Sequence, residues 1–229
     1  MTTARLLALM LSMTAPARAG QPLVTDDAAA VTAKTCQVEA WVHSTPGGRE
    51  YWAQPACNLT GQLELDLAGA RAQPDPGESS GMIQLQAKAV LLTVAEHAWS
   101  FGASAGAARD AGAPHGRSAF QLYYTRALAS WYPRHDLEID LNLGVANAYG
   151  SGTFALHGAA VQYAIVDNVQ LLGELFRDEP GREKYQVGVR CKVLPDRLEA
   201  YVSYGARFGG SDERSAVFGI RVQTAAFLP

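Results

Sequence analysis

The chain has 229 residues, 48% of them hydrophobic, and carries 19 Lys and Arg against 22 Asp and Glu, a formal charge of −3. That length suits one domain, and the mildly acidic balance argues against a nucleic-acid partner. The 3 cysteines form no CxxC pair, which leaves zinc and thioredoxin-type chemistry unsupported.

In chain order, residues 1–19 read as a secretory signal: Arg5 supplies the positive start, LLALMLSM the apolar run and Ala17-Arg18-Ala19 the small-x-small cleavage site. The run is too short to span a bilayer as a helix, and no later stretch reaches ~18 uninterrupted apolar residues. The mature chain is expected to begin near Gly20. Residues 20–35 form an N-terminal tail, periplasmic or lumenal, for which an untethered periplasmic position is the default. Asp26 and Asp27 carry the charge to enter a basic lumen.

Residues 36–229 divide into about twelve segments in which apolar and polar residues alternate: Cys36–Thr45, Arg49–Asn58, Gln62–Ala72, Met82–Leu92, Ala98–Arg109, Ser118–Ser130, Asp136–Tyr149, Thr153–Ala164, Val169–Asp178, Lys184–Leu194, Leu198–Phe208 and Ala216–Thr224. Between Asp136 and Tyr149, Leu137, Ile139, Leu141, Leu143 and Val145 oppose Glu138, Asp140 and Asn142. Such a strand has one apolar and one polar face. An even count of segments near ten residues, with tight turns alternating with longer loops, is what a closed transmembrane barrel needs. The expected fold class is therefore all-β, a closed antiparallel transmembrane β-barrel. A periplasmic sandwich or lipocalin-like barrel is the soluble alternative.

Two segments sort badly. Arg126 shares parity with Phe120, Leu122, Tyr124 and Leu128, which would point it at lipid unless a bulge intervenes. His157 and Gln162 have opposite parity, so their strand has no clearly polar face. Trp41, Tyr51, Trp52, Trp99, Trp131, Tyr132, Tyr149 and Phe176 lie towards strand ends, as interfacial girdles do.

VQLLGELFRDEPG, YQVGVRCKVLPDRLEAYVSYG and VFGIRVQTAAFLP, with the opening QPLVTDDAAAV, resemble a family of small Gram-negative outer-membrane proteins often grouped with the barrels of the phenol-degradation meta-pathway. The resemblance implies a barrel of roughly twelve strands in the outer membrane that passes small molecules. Phe227 is followed by Leu228-Pro229, a departure from the aromatic last residue on which many such barrels end.

No enzyme chemistry is expected. The histidines at 43, 97, 115, 135 and 157 show no ligand spacing, so no metal or other cofactor is implied. A lipid hydrolase or deacylase would have to draw His157 to Ser151 or Ser203. The candidate site is the lumen, with Glu64, Asp66, Lys88, Glu138, Asp140, Glu174, Arg190, Lys192, Glu199, Arg207 and Arg221 pointing inward. The acidic residues of the opening and central strands would face a basic wall of Arg190, Lys192 and Arg221, a field suited to small polar or zwitterionic solutes. A non-conducting interior laced by ion pairs is the alternative. Expected partners are outer-membrane lipid, a small solute and the barrel-assembly machinery, with the barrel a monomer. Pairing the first two strands about Pro46-Gly47 sets Cys36 opposite Cys57, a disulfide in an oxidising compartment. Cys191 is left as a free, lipid-facing thiol.

Overall fold

The computed structural model describes residues 23–94, 98–110, 120–181, 183–209 and 214–226. The expected signal, His97, His115 and the terminal Phe227-Leu228-Pro229 lie outside the described residues. The chain forms twelve strands: β1 (Cys36–Thr45), β2 (Gly48–Asn58), β3 (Leu63–Pro74), β4 (Ser80–Val94), β5 (Trp99–Asp110), β6 (Leu122–Arg134), β7 (Leu137–Ala148), β8 (Gly152–Val166), β9 (Val169–Arg177), β10 (Lys184–Leu194), β11 (Leu198–Arg207) and β12 (Ser215–Gln223). Each strand pairs antiparallel with the next, and β1 pairs with β12, so the sheet closes on itself. Closure removes both sheet edges, the condition for placing strands in lipid.

The barrel is inside out relative to a soluble protein. Leu143, Leu141, Ile83, Leu67 and Phe218 are exposed on its outer wall, whereas Asp140, Glu64, Lys88, Glu39 and Arg221 are buried within it. An outer wall so apolar through the middle of its strands suits hydrocarbon and not water. Short connections such as Asp167-Asn168 lie at the end where β1 begins and β12 finishes, here the turn end. Longer ones, such as the segment between β9 and β10, lie at the opposite, loop end.

β6 departs from expectation in both position and face. Expected over Ser118–Ser130, the strand instead starts at Leu122 and runs through Pro133 to Arg134. A bulge between Trp131 and Arg134 absorbs the residue that cannot donate to the ladder. The buried residues of β6 are Tyr124, Leu128 and Ser130, and the exposed ones include Tyr123 and Trp131. Leu122, Tyr124, Arg126 and Leu128 therefore face the lumen and not lipid. Glycines on neighbouring strands make this possible. A Cβ at Gly106 would overlap the Tyr124 ring, and one at Gly144 would sit 3.0 Å from the Arg126 Cγ.

The aromatic girdle is half of what was expected. Tyr51, Trp99, Trp131 and Tyr149 stand on or at the rim of the outer wall, where Trp99 and Trp131 stack with centroids 5.6 Å apart. Trp41, Trp52, Tyr132 and Phe176 have the opposite parity and face inward. In β8, Gln162 is buried in the lumen, and the outward His157 ring bonds Glu183 at 2.8 Å. Cys36 pairs with Cys57 in the β1–β2 register and forms the disulfide, leaving Cys191 free.

Candidate functional site

The tail is not untethered. Leu23, Thr25, Asp27, Ala28, Ala30 and Val31 are buried, and the segment crosses the lumen from the turn end of β1 towards β8 and β9. Residues 23–31 have no strand partner for their backbone, so side chains of the wall supply the hydrogen bonds that backbone N–H groups buried away from water require.

The Glu174 carboxylate accepts from the backbone N–H groups of Val24 and Thr25, at 2.9 and 2.8 Å. Asn142 accepts from Asp26 N at 2.8 Å and donates to Asp26 O at 2.7 Å. Ser130 Oγ accepts from Ala28 N, Ser100 Oγ donates to Ala28 O, and Glu64 accepts from Val31 N. The tail's own carboxylates meet Lys88, whose Nζ lies 3.0 Å from Asp26, 3.2 Å from Asp27 and 3.5 Å from Glu64. The cation that receives the tail is thus Lys88 on β4, not the expected basic wall.

That wall is neutralised by its neighbours. Arg221 pairs with Glu199 on β11 and with Glu39 on β1, and Arg190 Nε lies 3.7 Å from Glu199. Arg190 also donates to Gln162, Gln162 donates to Asp140, and Ser130 donates to Asp140. A belt of polar contacts therefore runs from β6 through β7, β8, β10, β11 and β12 to β1, and the tail fills the space beside it. A belt of this kind fixes that side of the cross-section, because each buried charge would be costly without its partner.

Towards the loop end the lumen opens into a vestibule of about 640 Å³. The tail's Leu23, Val24 and Asp26 form its floor, and Trp41, Trp52, Leu122, Tyr124, Leu156 and Phe176 line its walls. Trp41 and Trp52 stack with ring centroids 5.4 Å apart. A polar ladder climbs one wall: Gln54 and Gln86 donate to Asp66, and Tyr124 OH donates to Gln86 at 2.7 Å. It ends at Arg126, whose guanidinium lies 4.9 Å from the Tyr124 ring centroid. Among the described residues no carboxylate lies within ion-pair distance of Arg126. At the mouth, Glu179 pairs with Arg207 and Lys184. Burial raises the Glu179 carboxyl, but Lys184 and Arg207 outweigh it and hold it below the ordinary carboxylate range. This pairing is complete at neutral pH and is lost only as pH falls through that lowered value.

Of the residues expected in the lumen, Glu64, Asp66, Lys88, Glu138, Asp140, Glu174, Arg190 and Arg221 are buried there, and Lys192, Glu199 and Arg207 are partly buried on the same inner face. The sequence reading missed Glu39, Ser130 and Arg126 as inward residues. Glu39 was legible, because it alternates with Val38 and Ala40. Arg126 was not, because its strand carries leucines on the inner face. Asn142 lies on the polar face where alternation places it, and there it anchors the tail. His157 and Ser203 lie on opposite faces of the wall, so they form no dyad.

Lys88→Met should free the tail. It leaves Glu64, Asp26 and Asp27 together without a cation, and breaking a buried ion pair costs about 3–5 kcal/mol. Limited proteolysis of the folded barrel should then cut within residues 23–35, where the unaltered protein resists.

No curated protein matches the sequence. Among solved structures the chain is similar to the KdgM porin, with TM-score 0.65 and 13% identity over 82% of this chain and 99% of that one. It is similar to the KdgM porin in complex with disordered oligogalacturonate, with TM-score 0.64, 12% identity and the same coverage. Similarity to the NanC porin gives TM-score 0.59 and 13% identity over 82% of this chain and 98% of that one. At these identities the likeness is one of fold: a twelve-stranded barrel of the porin kind. A family model described as "Uncharacterised conserved protein UCP029691" matches residues 6–224, and the chain belongs to that family.

Proposed function

We propose that the protein is an outer-membrane channel of a Gram-negative bacterium for small polar or aromatic molecules, closed by its own N-terminal tail. The observation that carries this reading is an inside-out barrel whose one wide lumenal space, among the described residues, has the tail as its floor. The likeness to porins supports a channel in preference to an enzyme. The loop end faces outward and the turn end faces the periplasm, where the Cys36–Cys57 bond suits an oxidising compartment. Residues 1–19 act as the export signal, 20–35 as the plug and 36–229 as the barrel. The barrel works as a monomer placed by the assembly machinery. Kinship with the phenol-degradation group rests on the terminal segments alone.

Beyond the ion pairs of its mouth, the solute meets indole and phenyl faces, the amide groups of Gln84 and Gln86, the Asp66 carboxylate and the Arg126 guanidinium. That set suits a compact ring or a small zwitterion, because rings stack on rings and each charge finds an opposite one. Lipid hydrolysis is the weaker reading, given the separation of His157 from Ser203. A purely structural barrel is favoured only by the polar belt.

The test is ion preference in a planar bilayer under a salt gradient. Relative to the same barrel with Arg126 intact, Arg126→Glu should shift the reversal potential towards cations. An unchanged reversal potential would remove Arg126 from the path, and no conductance from correctly folded barrel with its tail deleted would overturn the channel.

A further inference from the structure

The outer wall carries a charge asymmetry that conduction does not use. Among the described strands, the basic side chains with outward parity are Arg49, Arg71, Arg109, Arg134, His157 and Arg177, and no carboxylate has that parity. Four of these five arginines, Arg49, Arg71, Arg109 and Arg177, stand near the loop end of their strands. Arg134, near the turn end, is instead bonded to Asp136 through both Nε and Nη2.

Arg49, Arg71 and Arg109 stand on β2, β3 and β5 and form one patch. Arg71 is opposite Tyr51 on one side and Gly81 on the other, and Arg109 is opposite Ile83. The intervening strand thus offers no side chain at the level of Arg71. From strand spacing and rise, the Arg49 and Arg71 Cα atoms are about 8 Å apart and those of Arg71 and Arg109 about 12 Å. All three side chains are exposed, and none has an ion-pair partner among the described residues. Beside them lies a shallow outward groove of about 500 Å³, lined by Tyr51, Ala53, Gly69, Arg71, Gly81 and Ile83. A Cβ added at Gly69 would meet nothing within 4 Å. Below the groove, Leu67 and Leu85 continue the apolar wall.

We infer that this face of β2 to β5 binds a lipid whose sugar headgroup carries two phosphates, from the outer leaflet in which the loop end would sit. Arginine suits the task because its planar fork takes two phosphate oxygens at once. Arg49 and Arg71 are close enough to share one phosphate, and the wider gap to Arg109 calls for a second. The groove, floored by Ala53, Gly69 and Gly81, takes the start of an acyl chain that then runs down past Leu67 and Leu85. A glycerophospholipid with a single phosphate would satisfy only one end of the patch. This assignment rests on the outer-membrane reading but not on conduction.

The folded barrel in detergent should be titrated with bisphosphorylated lipid A, its monophosphorylated form and phosphatidylglycerol, with bound lipid counted by native mass spectrometry. The bisphosphorylated lipid should bind at least tenfold more tightly than phosphatidylglycerol, with the monophosphorylated form between them. The triple variant Arg49→Gln, Arg71→Gln, Arg109→Gln should lose that preference, while Arg177→Gln keeps it. Equal binding of all three lipids, or an unchanged preference in the triple variant, would overturn the inference. A barrel that binds the lipid but passes no current would refute the channel and leave this site standing. A chain that is soluble without detergent would refute both.

Discussion

Removing residues 20–31 should raise the single-channel conductance several-fold while leaving the barrel folded. Glu174, Asn142, Ser130, Ser100, Glu64, Asn58, Gln86 and Lys88 hold this segment to the wall through their side chains. None of these contacts is a strand pairing, so the twelve-stranded ladder keeps its hydrogen bonds when the tail is gone. What changes is the cross-section at the floor of the vestibule, where Leu23, Val24 and Asp26 now stand. The deletion also strips Lys88 of two of its three carboxylates, leaving Glu64 beside it, so the opened path retains a balanced charge at that level. Conductance recorded in planar bilayers, with folding checked by the heat-sensitive migration of barrels on gels, would show the effect. A barrel that conducts equally with and without its tail would mean that the tail does not close it.

The second large effect concerns the outer wall. Leu143 is 68% exposed on the outer face in the middle of β7. Leu143→Arg should cost about 2–4 kcal/mol, the penalty for a guanidinium facing lipid near the midplane, and should sharply reduce the yield of assembled barrel. The matched control is Gln54→Arg, whose side chain points into the hydrated vestibule and should assemble nearly as well as the unaltered protein. Refolding yield into vesicles distinguishes the two. Equal sensitivity at both positions would contradict the inside-out arrangement.

Much of this architecture was legible from alternation. In β7 and β10 the two faces differ so plainly that side chains could be assigned inward or outward from parity, and the closure of β1 on β12 follows from an even strand count. The disulfide was legible for the same reason, because the centre of the first hairpin fixes which residues face each other. The faces failed where size complementarity outweighs polarity. β6 turns Leu122, Tyr124 and Leu128 inward because glycines at 106 and 144 leave room for large side chains, and a neighbour three-dimensionally adjacent but distant in sequence leaves no period to read. The tail was the larger omission. Its anchoring comes from backbone N–H groups meeting wall side chains, and backbone donors are identical in every sequence. Only Asp26 and Asp27 hinted at entry into the lumen, and their partner, Lys88, is a lone cation on a strand otherwise lined by glutamines.

Closure by the tail is tested most directly by fixing it in place. Ala28→Cys combined with Ser130→Cys puts a thiol on each of two residues already in contact, Ala28 N lying 2.8 Å from Ser130 Oγ, so that oxidation can tie the tail to β6. Conductance should stay at the closed level while the bond is intact and should rise, with opening events, once a reductant frees the tail; unaltered protein given the same reductant controls for the native Cys36–Cys57 bond. A tied barrel that conducts as freely as the released one would contradict the account.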